Sequence, residues 1–318
     1  MQTLFADLPA AITNSVEIAK RCNLSLTLGK PQLPDFPVPK GMTLDDYLME
    51  KAMEGLSKHL LHLYPDEAER EKQRPSYEVR LKFEARTISQ MGFPGYFLIV
   101  ADFINWAKNN GVPVGPGRGS GAGSLVAYSL GITDLDPLRY NLLFERFLST
   151  ERSSLPDIDI DVESARRHDI YREIFKRYGS NRVTLLSMQS TYRGRGAMRD
   201  SGLALGLDED QIDDIAKNMW RFSARTFRNA LGTKPELAAL AQSVESDRQM
   251  NLLVDITERL DRLPRHISMH PCGVILGDAT LLNLTPVETS GMGLPMSQFD
   301  KDDMDPMGFL KLDVLGVR

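Results

Sequence analysis

The most informative segment of the sequence is Leu155-Pro-Asp-Ile-Asp-Ile-Asp-Val162, in which aspartate and aliphatic residues alternate strictly. Successive side chains of a β-strand point to opposite faces, so the alternation predicts a strand with Asp157, Asp159 and Asp161 on one face. The aliphatic residues between them form an apolar face that can be buried against helices. Because aspartate is a poor strand former, three of them in this pattern indicate a function.

Three like charges on one strand face repel one another and raise the pKa values of the carboxyl groups. Neighbouring aspartates lie roughly 6.5–7 Å apart along such a strand. Two divalent cations bridged by the carboxylates would remove the repulsion, as in two-metal phosphoryl-transfer sites. The alternative is a solvated acidic strand at the edge of a sheet, where charges prevent aggregation.

A second carboxylate stands inside the apolar segment from Phe309 to Gly316. Asp313 occupies a core-like strand position there, and Lys311 falls on the same face. A buried aspartate needs a partner. A metal shared with Asp157 and Asp159 would supply one, and a local Lys311–Asp313 ion pair on a surface strand is the alternative.

A glycine-rich loop spans Gly115 to Ser124, with glycine at every second position from 115 to 123. Glycine adopts positive φ and lets the backbone approach a ligand closely. The loop N–H groups, together with Arg118, Ser120 and Ser124 and the helix that follows, would form a phosphate cradle. The loop matches neither G-x-x-x-x-G-K-[ST] nor G-x-G-x-x-G, so alone it predicts either phosphate binding or a tight turn. Beside the acidic strand it indicates a nucleoside triphosphate with a metal.

Basic residues are concentrated in a later, mostly helical part of the chain. At helical spacing four of them fall within roughly 80° of one face, and aromatic residues interleave with them. The four are Lys217, Arg221, Arg225 and Arg228, the aromatic residues are Trp220, Phe222 and Phe227, and Arg193, Arg195 and Arg199 cluster upstream. Such cations would bind nucleic-acid phosphates. A solvated helix face is the alternative.

The composition of the chain excludes several classes of protein. The chain has 318 residues, a formal charge of −5 and two cysteines, Cys22 and Cys272, which exclude a disulfide scaffold and a four-cysteine zinc site. Neither a secretory signal nor an apolar run of membrane-spanning length is visible, so we expect a cytoplasmic protein. Prolines flank the pair His266 and His270, which argues against a helical zinc site there. The acidic net charge averages over opposed patches and does not exclude DNA.

Five segments, in the same order along the chain, closely resemble the bacterial DNA polymerase III alpha subunits, the family C DNA polymerases. They are Gly92–Val100, Gly111–Ser124, Phe144–Leu148, Pro156–Asp161 and Lys311–Gly316. The resemblance runs through essentially the whole chain. It implies an α+β fold, with a polymerase-beta-like nucleotidyltransferase palm and an inserted helical thumb.

The resemblance also implies a site. Asp157, Asp159 and Asp313 would be the catalytic, metal-binding carboxylates, and Asp161 would have no assured metal role. Arg118, Gly119, Ser120 and Lys311 would bind the nucleotide. The cofactor would be Mg²⁺, two ions with the dNTP, in template-directed DNA synthesis on a primer–template.

Matching domains would divide the chain at three points. Residues 1–25 would end a phosphoesterase-like (PHP) domain, 26–188 would be the first part of the palm, 189–266 the thumb, and 267–318 the second part of the palm. We expect the body of the PHP domain and the fingers to be absent. A sliding clamp and other replisome subunits would be partners of the full-length protein only, and no membrane is implied.

Two other functions stay open at this point. A chain without fingers would bind primer–template DNA and catalyse nothing. A dinucleotide-dependent oxidoreductase would need an uninterrupted βαβ unit around the glycine loop, where the sequence instead predicts a short helix and a long loop. Around His270 the sequence reads His-Pro-Cys-Gly, where replicative family members often have more glycine, which indicates a less typical paralogue.

Overall fold

The computed structural model describes residues 1–30, 36–149, 156–219 and 223–317. The chain begins with helices, as the apolar spacing predicts. These are α1 (Pro9–Arg21), α2 (Leu44–Leu63), α3 (Glu67–Gln90), α4 (Pro94–Asn109), α5 (Leu125–Ser129) and α6 (Arg167–Tyr178). None of the helices in the described part of the chain has the length and apolar character that a membrane span requires.

The starts of three helices can be compared with what the sequence indicates. Thr43 with Asp46 three residues later predicts a helix start, and Thr43 does cap α2, with its Oγ1 accepting the Asp46 N–H at 3.1 Å. The sequence offers Asp7 as the cap of the first helix, which is wrong, because Leu8 precedes α1 and no side chain caps it. The apolar spacing predicts a helix from about Tyr77, but α3 begins ten residues earlier, since Asp66 caps it by accepting the Glu69 N–H at 2.9 Å and the helix continues through Pro75.

Six strands form one mixed sheet in the order β1-β6-β3-β2-β5-β4. Strand β1 lies parallel to β6, β6 and β2 each lie antiparallel to β3, and β5 lies parallel to β2 and antiparallel to β4. The strands are β1 (Asp159–Glu163), β2 (Val183–Thr191), β3 (Pro264–Leu276), β4 (Val287–Thr289), β5 (Pro295–Asp300) and β6 (Leu310–Val317). The predicted first strand is therefore shorter at its start: Asp157 precedes it, and Leu155 lies outside the described residues.

The two faces of the sheet have different neighbours. Ile160, Val162, Leu312 and Val314 belong to a large apolar core that also contains residues of α2 to α6. The opposite face carries Asp313 and a smaller apolar cluster, in which Leu186, Ile275 and Phe309 pack with residues of α12 (Leu281–Leu284) and α13 (Met304–Met307). The apolar side of the alternating strand is buried as predicted, and its acidic side is left for other partners.

A separate group of helices is inserted between β2 and β3. We call residues 194–260 the helical unit and the six strands with α2–α6, α12 and α13 the sheet region. The helical unit contains α7 (Gly194–Ala204), α8 (Glu209–Asn218), α9 (Phe227–Thr233), α10 (Ala238–Ser246) and α11 (Arg248–Leu260). It has its own apolar core, in which Phe227 and Leu253 are fully buried.

The predicted single basic helix face is wrong. Helix α8 ends at Asn218, a short 3₁₀ turn follows at Ala224–Thr226, and α9 starts only at Phe227. Lys217 and Arg228 therefore belong to different helices, and Phe227 is a core residue that no base could stack on. Trp220, Arg221 and Phe222 lie outside the described residues.

Candidate active site

Three aspartate side chains, two from neighbouring strands and one from the residue just before β1, converge on the acidic face of the sheet. Asp159 and Asp313 are directly opposite each other in the parallel β1–β6 pair. Asp157 stands just before β1, where the N–H of Ile158 donates to the buried Tyr96 hydroxyl at 3.0 Å. One carboxylate oxygen from each of Asp157, Asp159 and Asp313 lies within 4.8 Å of the others. The fold thus brings together residues that lie more than 150 positions apart in the sequence.

Asp313 is the most buried member of this carboxylate cluster. Its side chain is 10% exposed, and its Oδ2 accepts a hydrogen bond from Lys311 Nζ at 2.6 Å. Its Oδ1 is buried and has no hydrogen-bond partner among the residues that the structure describes. A buried carboxylate oxygen without a partner is costly. Asp313 thus pairs with Lys311, but at a buried position of β6, between β1 and β3, and not on a surface strand; the metal shared with Asp157 and Asp159 stays a prediction.

Burial and neighbouring charges shift the pKa values of Asp157 and Lys311. Partial desolvation is the main cause that raises the pKa of Asp157; Lys311 opposes this, and the charges of Asp313 and Asp159 add to it. Desolvation by itself lowers the pKa of Lys311, but the hydrogen bond to Asp313 and the neighbouring carboxylates outweigh it and raise that pKa. Lys311 therefore stays charged beside the carboxylates.

The residues fit a hard divalent cation. The cluster offers only oxygen ligands, which Mg²⁺ prefers, and the buried Asp313 Oδ1 has no hydrogen-bond partner among the described residues. The four acidic side chains, those of the cluster and Asp161, have two basic partners, Arg118 and Lys311. Bound cations would balance the excess negative charge.

Asp161 has a different partner from the other aspartates of the strand. Arg118 Nη1 donates to Asp161 Oδ1 at 3.1 Å, and Arg118 Nε lies 3.8 Å from Asp159 Oδ2. The arginine of the glycine loop thus neutralises the outer end of the acidic strand. In this structure the Arg118 guanidinium is paired with the carboxylates of Asp161 and Asp159. Its contact with nucleotide phosphates remains a prediction.

The glycine loop lies beside the acidic strand, as the sequence predicts. Gly115 N–H donates to the Asp161 carbonyl at 2.8 Å, which ties the start of the loop to β1. Gly119 has φ +62°, and a β-carbon there would lie 3.8 Å from Asp159 Oδ2, so its backbone borders the carboxylate cluster. Gly119 and Ser120 are both exposed. The predicted nucleotide ligands therefore adjoin the predicted metal ligands.

Ser124 does not line the cradle, contrary to the sequence prediction. It is fully buried, its Oγ accepts the Ala127 N–H at 3.1 Å, and its hydroxyl donates to Glu84 Oε2 at 2.9 Å. A serine at this position caps α5 from the inside of the protein. No phosphate could reach its hydroxyl in this arrangement.

Glu84 and Arg80 of α3 support the glycine loop from beneath, and sequence reasoning missed both. Glu84 is fully buried and accepts from Arg80 Nε at 2.6 Å and from the Val126 N–H at 3.1 Å. Arg80 Nη2 donates to the carbonyls of Gly123 and Leu142 at 3.1 and 3.2 Å. Burial raises the pKa of Glu84 against these hydrogen bonds. The available signal was an Arg–Glu pair four residues apart on an otherwise apolar helix face.

The predicted DNA-binding residues are spread over the surface of the helical unit and its entry. Arg193, Arg195 and Arg225 are exposed and make no ion pair within the described residues. The others have acidic neighbours: Arg199 pairs with Asp213 at 2.6 Å, Lys217 with Asp214 at 3.1 Å, and Arg228 with Glu258 at 3.8 Å. The sequence from Ala216 to Lys234 contains no acid, but Asp214 and Glu258, which lie outside that stretch, pair with Lys217 and Arg228.

A six-stranded mixed sheet that presents clustered carboxylates beside a glycine-rich loop is consistent with an α+β nucleotidyltransferase-like domain. No βαβ unit follows the glycine loop within residues 115–149 and 156–163, which argues against the oxidoreductase alternative. The chain belongs to the family described as the bacterial DNA polymerase III alpha NTPase domain, which matches residues 46–316.

Curated relatives are similar over the full length of the chain. It is 46% identical to a DNA polymerase III subunit alpha of Neisseria meningitidis, covering 100% of the chain and 28% of the relative. The corresponding protein of Escherichia coli K12 is 44% identical and that of Haemophilus influenzae 41% identical, and in both the chain covers 27% of the relative. The chain thus spans little more than a quarter of the length of these proteins.

Proposed function

We propose that this chain is the palm and thumb of a DNA polymerase III alpha subunit and serves template-directed DNA synthesis, the transfer of a nucleotidyl group from a dNTP to a primer 3′-hydroxyl. The observation that carries the proposal is the convergence of Asp157, Asp159 and Asp313 beside the glycine loop. The sheet region would be the palm, in residues 26–188 and 267–318, and residues 189–266 would be the thumb. Residues 1–25 would belong to the preceding PHP domain.

Asp157, Asp159 and Asp313 would hold two Mg²⁺ ions. When bound with the dNTP, these ions lower the pKa of the primer hydroxyl and offset the charge of the leaving pyrophosphate. Lys311 holds Asp313 Oδ2 and leaves Oδ1 without a hydrogen-bond partner among the described residues. The backbone of Gly119 and the hydroxyl of Ser120 would bind phosphate oxygens, and Arg118 would add positive charge once a phosphate competes with Asp161.

The DNA contacts are assigned to the helical unit and its entry. Arg193, Arg195 and Arg225 are exposed and have no acidic partner among the described residues, so they can neutralise phosphates without breaking an ion pair. Arg199, Lys217 and Arg228 would first have to leave their acidic neighbours. Arg221 completes the proposed set. Clamp and replisome contacts would belong to the full-length protein.

Primer extension tests the proposal. The chain is mixed with a primed template, the four dNTPs and Mg²⁺, and Asp159→Asn is compared with the wild type. We expect the variant to lose at least about 100-fold of the incorporation rate, because a cation ligand is removed. Asp169→Asn makes the same chemical change at an arginine-paired aspartate of α6 outside the cluster and should leave the rate unchanged. Equal rates for Asp159→Asn and Asp169→Asn would contradict the assignment.

A second candidate is DNA binding without incorporation, favoured by Arg193, Arg195 and Arg225, which are exposed and could bind phosphates whether or not a nucleotide is added. It predicts that primed DNA binds to the chain, measured by fluorescence anisotropy, while no nucleotide is added. The metal-binding experiment described at the end of the Discussion tests the carboxylate cluster in that case also.

A further inference from the structure

Strand β3 bulges away from β2 next to the carboxylate cluster. Leu185 pairs with Val274 and Ser187 pairs with Met269, so residues 270–273 of β3 lie opposite a single residue of β2. Pro271 falls inside this bulge, where its missing N–H does no harm. Bulges bend a strand and redirect its side chains, and they are frequent next to active sites.

The bulge brings together two side chains that a regular strand would keep apart. Residues two positions apart in a strand stand roughly 6.5–7 Å apart. His270 Nδ1 and Cys272 Sγ are instead 3.6 Å apart. His270 Nδ1 also accepts the N–H of Gly273 at 3.1 Å. This hydrogen bond places the ring proton on Nε2 and keeps Nδ1 unprotonated, with its lone pair accepting the Gly273 N–H.

Asp313 completes this group from the neighbouring strand. Gly273 of the bulge is directly opposite Asp313 in the β3–β6 pair. One ligand atom from each of His270, Cys272 and Asp313 lies within 4.8 Å of the others. Asp313 is more than nine-tenths buried, and its Oδ1 has no hydrogen-bond partner within the described residues. That oxygen is an observation independent of the His–Cys contact, and it also points to a ligand.

The donor set and its spacing suit a softer cation than Mg²⁺. Zinc bonds of roughly 2.0–2.1 Å to nitrogen and 2.3 Å to sulfur, at a tetrahedral angle, hold these two atoms about 3.6 Å apart. The His270–Cys272 contact already has this length. Imidazole and thiolate ligands select zinc, whereas carboxylates with water select Mg²⁺.

We propose that His270, Cys272 and Asp313 form a binding site for Zn²⁺ or a similar soft divalent cation, which shares Asp313 with the carboxylate cluster. The Cys272 S–H bond breaks as the metal–sulfur bond forms, and the proton leaves to solvent. Metal binding exchanges the hydrogen bond from Gly273 N–H for a coordination bond at Nδ1. A water molecule would complete the tetrahedron.

Sharing one carboxylate has a consequence for function. Because Lys311 holds Asp313 Oδ2 and leaves Oδ1 for a metal, Zn²⁺ in the bulge site would weaken Mg²⁺ binding by Asp157, Asp159 and Asp313. This consequence rests on the proposed function, whereas binding in the bulge site does not. The bulge would then make the enzyme sensitive to zinc through Cys272.

Cobalt titration of the full chain tests the site, since Co²⁺ reports both tetrahedral geometry and a thiolate ligand in its absorption spectrum. We expect a thiolate-to-cobalt band in the wild type that Zn²⁺ removes by competition. Cys272→Ser should abolish the band, and His270→Gln should weaken cobalt affinity at least about tenfold. The chain has only two cysteines, so Cys22→Ser is the matched control and should keep the band. A wild type without the band, or a band that Cys272→Ser retains, would overturn the proposal.

Manganese displacement separates this proposal from the function. Mn²⁺, a Mg²⁺ substitute detected by electron paramagnetic resonance, should be released by equimolar Zn²⁺ from the wild type but not from Cys272→Ser. A thiolate–cobalt band without release of Mn²⁺ would overturn the sharing of Asp313. If Mn²⁺ does not bind at all, the proposed function fails while the cobalt result still decides the bulge site.

Discussion

The sheet region and the helical unit differ in where their charged residues lie and in which partners these residues have. In the sheet region, Asp159, Asp313 and Arg118 come from distant segments and meet at the carboxylate cluster, and Glu84 is fully buried beneath the glycine loop, where Arg80 pairs with it. In the helical unit, charged residues stay on the surface, and several pair with an acid of the same or a neighbouring helix. Convergence of distant residues at a cost in desolvation marks a site, whereas surface charge alone does not.

The two regions also have separate apolar cores. Phe227 is fully buried in the helical unit, and Phe103 is fully buried in the sheet region. We expect Phe227→Ala to destabilise the helical unit by about 3–5 kcal/mol, the usual cost of a large cavity. Hydrogen exchange measured by mass spectrometry should then accelerate in peptides of residues 194–260 and not in the sheet. Phe103→Ala, the reciprocal variant, should accelerate exchange in the sheet region; equal acceleration everywhere in both variants would mean a single cooperative unit.

Glu84→Gln tests whether the buried support of the glycine loop is as important as its geometry indicates. The amide cannot neutralise Arg80 and still accept from both Ser124 and Val126, so we expect a loss of about 1–3 kcal/mol in the free energy of unfolding. Urea denaturation measures it. Glu78→Gln, on the same helix but paired with Lys82 at the surface, is the control and should show no measurable change. Similar stabilities for the two variants would count against the proposed support.

The same substitution should have opposite effects in the two regions. Gly117 has φ +105°, and a β-carbon there would lie 2.7 Å from Thr133 Cγ2, so Gly117→Ala should cost about 1–3 kcal/mol. Gly232 lies in α9 with nothing within 4 Å of the added carbon, and Gly232→Ala should stabilise by about 0.5–1 kcal/mol. Thermal unfolding of both variants measures the contrast. A neutral Gly117→Ala would show that the glycine loop is not fixed in this conformation.

The smallest effect is expected from surface charge in the proposed thumb. Arg195→Ala should lower affinity for primed DNA similarly for all sequences and should reduce the slope of log K against log salt by about 1. Anisotropy titrations at several salt concentrations measure it. Arg166→Ala removes an arginine from the sheet region and serves as the control. An unchanged slope for Arg195→Ala would remove this residue from the DNA contacts.

The sequence predicted most accurately what a local repeating pattern controls. Alternation placed Asp159 and Asp161 opposite a buried apolar face, and glycine spacing indicated a loop whose backbone can approach other groups closely, as Gly119 approaches Asp159. Long-range contacts were harder to predict. Burial of Ser124, support by Glu84 and the bulge at His270 depend on which segments pack together, and no local period records that. The basic helix face failed because the chain leaves α8 at Asn218, which the helical spacing of charges could not reveal.

We propose that Asp157, Asp159 and Asp313 together form a binding site for divalent cations. The most direct test of this claim is Mn²⁺ binding to the full chain, followed by electron paramagnetic resonance, in wild type, Asp313→Asn and the control Asp169→Asn. The account predicts that Asp313→Asn weakens Mn²⁺ affinity at least about tenfold while Asp169→Asn leaves it unchanged. Equal Mn²⁺ affinity in all three proteins would contradict the claim.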